Sequence, residues 1–183
     1  AAVLIATIWA LPAGILIGRS PVWSERLQGV IQVAASFPAP MVFPVVAAVL
    51  AWAGVPFTIR CVALMLLGAQ WYVLFNVMAG AQAIPAEMDE VARVYRFSTL
   101  QRWTRLYVPA VFPHLLTGLV TAAGGAWNAS IVSEYMQFRG QTLSAFGLGS
   151  LISSATERGD FPLLAASVVT MSLFVVLLNR IFW

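Results

Sequence analysis

Residues 85–109 read PAEMDEVARVYRFSTLQRWTRLYVP. The stretch holds four of the chain's ten basic residues (Arg93, Arg96, Arg102, Arg105) and three of its seven acidic ones (Glu87, Asp89, Glu90). On both sides the charge vanishes, with no Asp, Glu, Lys or Arg in 61–86 or 106–133. Further charge-free runs cover 1–18, 27–59 and 161–179. Each run supplies a membrane span of about 20 residues or slightly fewer. The run 27–59 is too long and too proline-broken for one helix, so it also contains a loop.

The bulk numbers agree. The chain is 61% hydrophobic and 9% charged, with a mean hydropathy of +0.87. Soluble domains are about 25% charged, so a water-facing globule of this composition could not cover itself. The net charge of +3 comes from Arg alone, since Lys is absent. Ten arginines scattered through an apolar chain form no nucleic-acid-binding surface. Cys61 is the single cysteine, which excludes an internal disulfide. His114 has no His, Cys or carboxylate near it in sequence, so it reads as a hydrogen-bonded packing residue and not as a metal ligand. Ser130, Ser133 and His114 form no nucleophilic arrangement.

These observations predict an all-α membrane protein with five spans at 1–18, about 39–53, 58–80, 109–132 and 161–181. A hydrophilic, amphipathic link fills 19–37, and Pro38 and Pro40 open the second span. The polar stretch 133–160 contains a short interfacial or re-entrant helix. The whole of 1–183 reads as one domain cut at both ends, since the first run lacks a Met, a basic lead-in and a cleavage pattern. With five spans, one face carries Arg19, Arg26, Arg93, Arg96, Arg102, Arg105 and Arg180, and the other carries Arg60, Arg139 and Arg158. Positive-inside bias makes the richer face cytoplasmic.

The charged loop reads as two short helices meeting near 96–98. Pro85 suits a first helical turn. Glu87, Asp89 and Glu90 fall early and Arg93 and Arg96 late, as the helix dipole favours. Asp89 and Arg93 stand four apart with the acid first, the better order for a pair. Ser98 and Gln101 form a capping-box signature, followed by Leu100, Trp103 and Leu106 at three-residue spacing. Pro109 ends this unit or opens the next span. Helices this short are marginal alone, so they lean on a surface. Lipid headgroups are one candidate and a cytoplasmic protein is the other. The clustered carboxylates and Arg forks favour the protein.

Glu90-Val91-Ala92, the six-position step to Arg96, and Val108-Pro109 resemble the EAA loop of permease subunits from binding-protein-dependent ABC importers. Glu90, Ala92, Tyr107 and Pro109 fall on register. Val91 replaces the first Ala, and Arg96 stands where the family has Gly, so the Ser98 cap is expected to place the bend slightly later. WALPAGILIGRS, SFPAPMVFPVV and AVFPHLLTGLVTAAGGAWNASIVSEY are similar to the subclass associated with nitrate, sulfonate, taurine and related anions. The resemblance implies a five-span permease core with two cytoplasmic coupling helices in a bacterial inner membrane. It implies no enzymatic activity in this chain and no directly bound cofactor. ATP and Mg belong to a partner ATPase dimer, an external solute-binding protein docks outside, and a second, identical permease subunit completes the path. The sequence has no G-x-x-x-x-G-K-[ST] element, in keeping with that division.

Carried onto this chain, ATPase coupling falls to Asp89, Glu90, Ala92, Arg93, Arg96, Ser98, Trp103 and Pro109. Gln70, Asn76 and Asn128 either line the path or bond between helices. Gly124, Gly125 and Trp127 are path candidates, with packing as the alternative. Glu134 and Arg139 are candidates for external docking. The small-residue stripes Ala10-Gly14-Gly18 and Gly118-Ala122-Ala126-Ser130 predict close helix packing. A secondary transporter would need an ion-coupling site and inverted repeats, and neither is visible. A non-transporting scaffold with a lipid-facing loop is the remaining alternative.

Overall fold

The computed structural model describes residues 1–138 and 140–182. The first helices are α1 (Ala2–Arg19), α2 (Pro21–Ser36), α3 (Ala39–Trp52), α4 (Phe57–Gln82) and α5 (Ala86–Val94). Then α6 (Thr99–Arg102), a π-helical segment (Trp103–Tyr107) and α7 (Val108–Ser133) follow one another without a break. A hairpin of β1 (Tyr135–Phe138) and β2 (Gln141–Ser144) leads to α8 (Leu148–Arg158) and α9 (Phe161–Phe182). Among the described residues, four helical stretches are long and apolar enough to cross a membrane: Ala2–Arg19, Phe57–Gln82, Thr99–Ser133 and Phe161–Ile181. Apart from the hairpin, the described residues form an all-helical membrane protein.

At the centre lies α4, with α1 along one side and α7 along another. Its Val73, Leu74, Val77 and Ala81 are buried in that contact. The small residues are what make the approach possible. A Cβ on Gly14 would stand 2.7 Å from Val77 Cγ1, and one on Gly18 would stand 2.6 Å from the Met78 carbonyl oxygen. On α7, Gly125 faces the Gly68 carbonyl, at 3.0 Å from where its Cβ would be. Lipid tails are as apolar as the side chains, so packing of this kind, and not hydrophobic expulsion, holds such helices together. By contrast, α9 turns Val169, Leu173, Val176 and Leu177 outward, as a helix bordered by lipid does.

The amphipathic link expected over 19–37 contains α2, a full 16-residue helix. Three expectations change. The second span is not one helix: α3 has 14 residues, about 21 Å, short of a hydrocarbon core of about 30 Å. Instead α2 and α3 form a pair bent by 84°, and the long apolar helices among the described residues number four, or five if this bent pair is one span. Pro38 is the cause of the bend. It forces Phe37 into an extended conformation, φ −72 and ψ 126, which ends α2, and it caps α3.

The second helix of the charged loop is also not separate. Thr99–Ser133 runs on for 35 residues, through Pro109. Val108 N–H donates to the Trp103 carbonyl, five residues back. This widened turn absorbs the disruption that a proline without an N–H brings. Finally, 133–160 holds a hairpin before its short helix. Tyr135 pairs with Ser144 and Phe138 with Gln141, Gly140 turns at φ 77, and the inward Met136 packs with Phe43, Ala47 and Leu64.

Candidate functional site

The charged stretch is built on three supports. The first is helix α5, which starts after Pro85 with Glu87 and Asp89 in its first turn and ends with Arg93 in its last. Its inner face is narrow, and Ala92 is its one buried residue. A larger side chain there would push the helix off the bundle. Outward stand Glu87, Glu90, Arg93 and Arg96, all exposed. Among them lie Val91, Val94 and Tyr95, the last two 78% and 72% exposed.

The second support is the turn that ends α5. Phe97 N–H donates to the Ala92 carbonyl at 2.9 Å, and Arg96 N–H to the Arg93 carbonyl at 2.9 Å. This bond pair is a Schellman stop, which requires a left-handed residue. Arg96 supplies it with φ 52, the one positive φ at a non-glycine among the described residues. The bend is therefore at Arg96 itself and not displaced toward Ser98. Ser98 then opens the next helix with a complete capping box: its Oγ accepts from Gln101 N–H at 3.3 Å, and Gln101 Oε1 accepts from Ser98 N–H at 2.8 Å. Arg102 is half-buried and Leu100 is 73% exposed.

The third support was invisible in the sequence. Asp89 does not pair with Arg93, which points outward. Its carboxylate forms a salt bridge with Arg19, the last residue of α1, and accepts from the Tyr107 hydroxyl at 2.7 Å. Arg19 Nη1 also donates to the carbonyls of Ile84 at 2.7 Å and Ala81 at 3.2 Å. It thereby satisfies carbonyls that the end of α4 leaves open. The Arg19 guanidinium lies 5.8 Å from the Tyr107 ring centre. Tyr107 in turn meets Trp103 edge-on at 6.2 Å. One cluster thus ties α1, the end of α4, the start of α5 and the π segment. Burial disfavours the Asp89 charge, but the Tyr107 hydroxyl and the Arg19 guanidinium outweigh it and hold the pKa below the usual value. The signal available beforehand was weak: Arg19 ends an apolar run, and a charge at such an edge needs a partner on the same side.

The polar residues of the spans divide between faces. Asn76 donates to the Tyr72 carbonyl of its own helix at 2.8 Å and lies against Gly118 of α7. Gln70 lies about 160° around α4 from Tyr72 and is not brought to that face. On α7, Gly125 packs against Tyr72, whereas nothing stands within 4 Å of the position a Gly124 Cβ would take. Asn128 is exposed. Trp127 faces a cavity of about 850 Å³ shared with Glu134, Ser150 and Phe174. There Glu134 Oε2 accepts from Ser150 N–H at 3.1 Å, at the start of α8. Burial raises the Glu134 pKa, and the N–H groups of Ser150 and Gly149 oppose the rise. Arg139 lies outside the described residues. His114 presses on Gly80, and its Nδ1 is buried without a hydrogen-bond partner among the described residues. Among the described residues no group of three His, Cys, Asp or Glu side chains could hold a metal ion.

Residues 10–182 match the family described as binding-protein-dependent transport system inner membrane component. A nitrate import permease protein of Leptolyngbya laminosa is 27% identical over 97% of the chain and 60% of its own length. A bicarbonate transport system permease protein of Synechococcus elongatus is 27% identical over 96% of the chain and 60% of its own length. A putative aliphatic sulfonates transport permease protein of Bacillus subtilis is 30% identical over 64% of the chain and 43% of its own length. The chain spans about 60% of the length of the first of these curated relatives.

Proposed function

Because the chain belongs to the family of inner membrane components of binding-protein-dependent transport systems, we propose that it is the permease subunit of an ATP-driven importer. On this reading it catalyses nothing itself and forms part of the membrane path for a small solute. Residues 1–183 act as one permease domain in a bacterial inner membrane. Small anions are the favoured cargo, since nitrate, bicarbonate and aliphatic sulfonates stand in the names of its relatives. ATP and Mg are handled by a cytoplasmic ATPase dimer, an external binding protein delivers the solute, and a second copy of the chain completes the path.

The outer face of α5 carries the reading. It mixes exposed charges of both signs with exposed Val91, Val94 and Tyr95, on a helix fixed from beneath by Arg19 and Tyr107 through Asp89. A lipid surface would favour a helix basic on its polar side. Mixed charge around an apolar centre suits a protein partner. Glu90, Arg93 and Arg96 make its ionic contacts, and Ala92 lets the helix sit close to the bundle. Arg96 and Ser98 set the angle to the following helix, and Trp103 and Pro109 shape that helix's root. Asp89 passes the partner's movement inward. Gln70, Asn76, Gly124, Gly125, Trp127 and Asn128 are the proposed path residues, and Glu134 and Arg139 the proposed external contacts.

The test is co-purification from detergent of the tagged chain with its ATPase. Glu90→Arg is expected to lose the ATPase while inserting in the membrane at unchanged yield. Recovery of the ATPase in undiminished amount would remove Glu90 from this role.

A further inference from the structure

Helix α2 carries a feature that the coupling site leaves unused. Glu25, Gln28, Gln32 and Ser36 are all exposed and fall within about 80° of arc on its surface. The neighbouring arc carries Arg26 near the start of the helix and then exposed apolar residues, with Val30 at 65% and Val33 at 75%. The inner face is anchored to α4, where Gln82 Nε2 donates to Ser24 Oγ at 2.7 Å. At its other end, Gln32 and Ser36 border a cavity of about 400 Å³ walled by Trp71 and Tyr72 of α4. From Gln82 to Tyr72 the rise along α4 is about 15 Å, half of a hydrocarbon core of about 30 Å. The polar stripe therefore climbs from the end that holds Arg19 and Asp89 to mid-depth. It stops where Pro38 breaks the crossing.

Lipid does not tolerate such a stripe: polar side chains at this depth face water, a cavity or one another. Broken crossings with irregular backbone at mid-depth are found where they line a cavity. Among the described residues no charged side chain lines this cavity. The lining residues whose side chains carry polar groups are Gln32, Ser36, Trp71 and Tyr72, and the Ser36 hydroxyl donates to the Gln32 carbonyl at 2.7 Å. Tyr72 also abuts Gly125 of α7, so the cavity adjoins the polar α4–α7 face that bears Asn76.

We propose that the α2 stripe is the water-lined inner half of the solute path and that the cavity at the break is its mid-membrane station. The station takes a small solute held by hydrogen bonds and not by an ion pair. This rests on the permease reading above but is tested apart from it. Single cysteines are introduced in the full chain at Gln32 and Ser36, with Val30→Cys as the lipid-facing control, and the buried native Cys61 sets the background. Inside-out membrane vesicles are then treated with a charged, membrane-impermeant methanethiosulfonate. Gln32→Cys and Ser36→Cys are expected to react at least about tenfold faster than Val30→Cys, because the reacting thiolate forms where water reaches it. Equal rates at all three positions would overturn the proposal, by placing α2 wholly in lipid or wholly in water. So would reaction at Val30→Cys alone. Loss of ATPase binding in the Glu90 experiment would be unaffected by either result.

Discussion

Replacing Asp89 by alanine removes the carboxylate at the junction of α1, α4, α5 and the π segment. Two hydrogen bonds to a charged group go with it, from Arg19 and Tyr107. Bonds of this kind contribute about 1.5–3 kcal/mol each where water is excluded. Here the Arg19 and Asp89 side chains remain 19% and 18% exposed, and Arg19 keeps the Ala81 and Ile84 carbonyls. Both facts pull the estimate to about 2 kcal/mol for the pair of bonds together. That corresponds to about a 30-fold increase in the open population of α5. Hydrogen exchange on the purified protein in nanodiscs reads it directly. Amides of 86–97 should exchange about 30-fold faster in Asp89→Ala, while those of 66–78 in the core of α4 stay unchanged. Asp89→Asn keeps an acceptor and should fall between the two. In the wild-type protein the Asp89 pKa is lowered on folding, so its contribution is complete above the ordinary carboxylate range. It is lost only as pH falls through the lowered value. An unchanged rate in 86–97, or an equal rise throughout the bundle, would refute the idea that this cluster specifically holds α5.

Arg96→Gly removes a Cβ from a left-handed position and should stabilise the end of α5 by up to about 1 kcal/mol, seen as slower exchange of the Phe97 amide; Arg96→Ala should give no such gain. Gly149→Ala would set a Cβ 2.4 Å from the Ser130 carbonyl oxygen of α7, and should lower the thermal midpoint in detergent by the equivalent of about 1–3 kcal/mol. Gly147→Ala has the Glu134 side-chain carboxylate, and not backbone, as its nearest contact and should cost less in the same scan. Ser98→Ala breaks the capping box and should weaken the start of α6 by about 1 kcal/mol, with faster exchange at the Gln101 amide.

Long apolar runs are legible because nothing else in the chain competes with them: α4 and α9 lie within a residue or two of the spans read from charge, proline and glycine together. The Ser98 capping box was legible for a similar reason, since both partners lie within one turn. The Arg19–Asp89 bond joins residues 70 apart and leaves no local trace, so the nearer Arg93 was assigned instead. Proline misled in both directions. At Pro38 it was read as the opening of a span, although it also ends α2 and sets α3 off at an angle of 84°. At Pro109 it was read as a boundary, although a single widened turn carries the helix through. At Arg96 the residue type argued against a sharp turn, yet the Schellman bonds of α5 demand one there and the arginine accepts the strain.

The unbroken helix changes what a partner at this surface would act on. Thr99–Ser133 has 35 residues and is about 52 Å long, well beyond a hydrocarbon core of about 30 Å. Its first turns are therefore a rigid extension of a span and not a hinged loop. Leu100 is exposed near its tip, close in sequence to Val94 and Tyr95 at the end of α5. Behind the tip lie the π turn, Tyr107 and Pro109, and Tyr107 is bonded to Asp89. A force applied across Val94 and Leu100 thus reaches α7 through a continuous backbone and α1 through a salt bridge. Neither route passes through a flexible linker, so under the proposed coupling a displacement at the surface would become tilt of the spans on both sides of α4. The left-handed stop at Arg96 joins the two levers, and its geometry sets the angle between them.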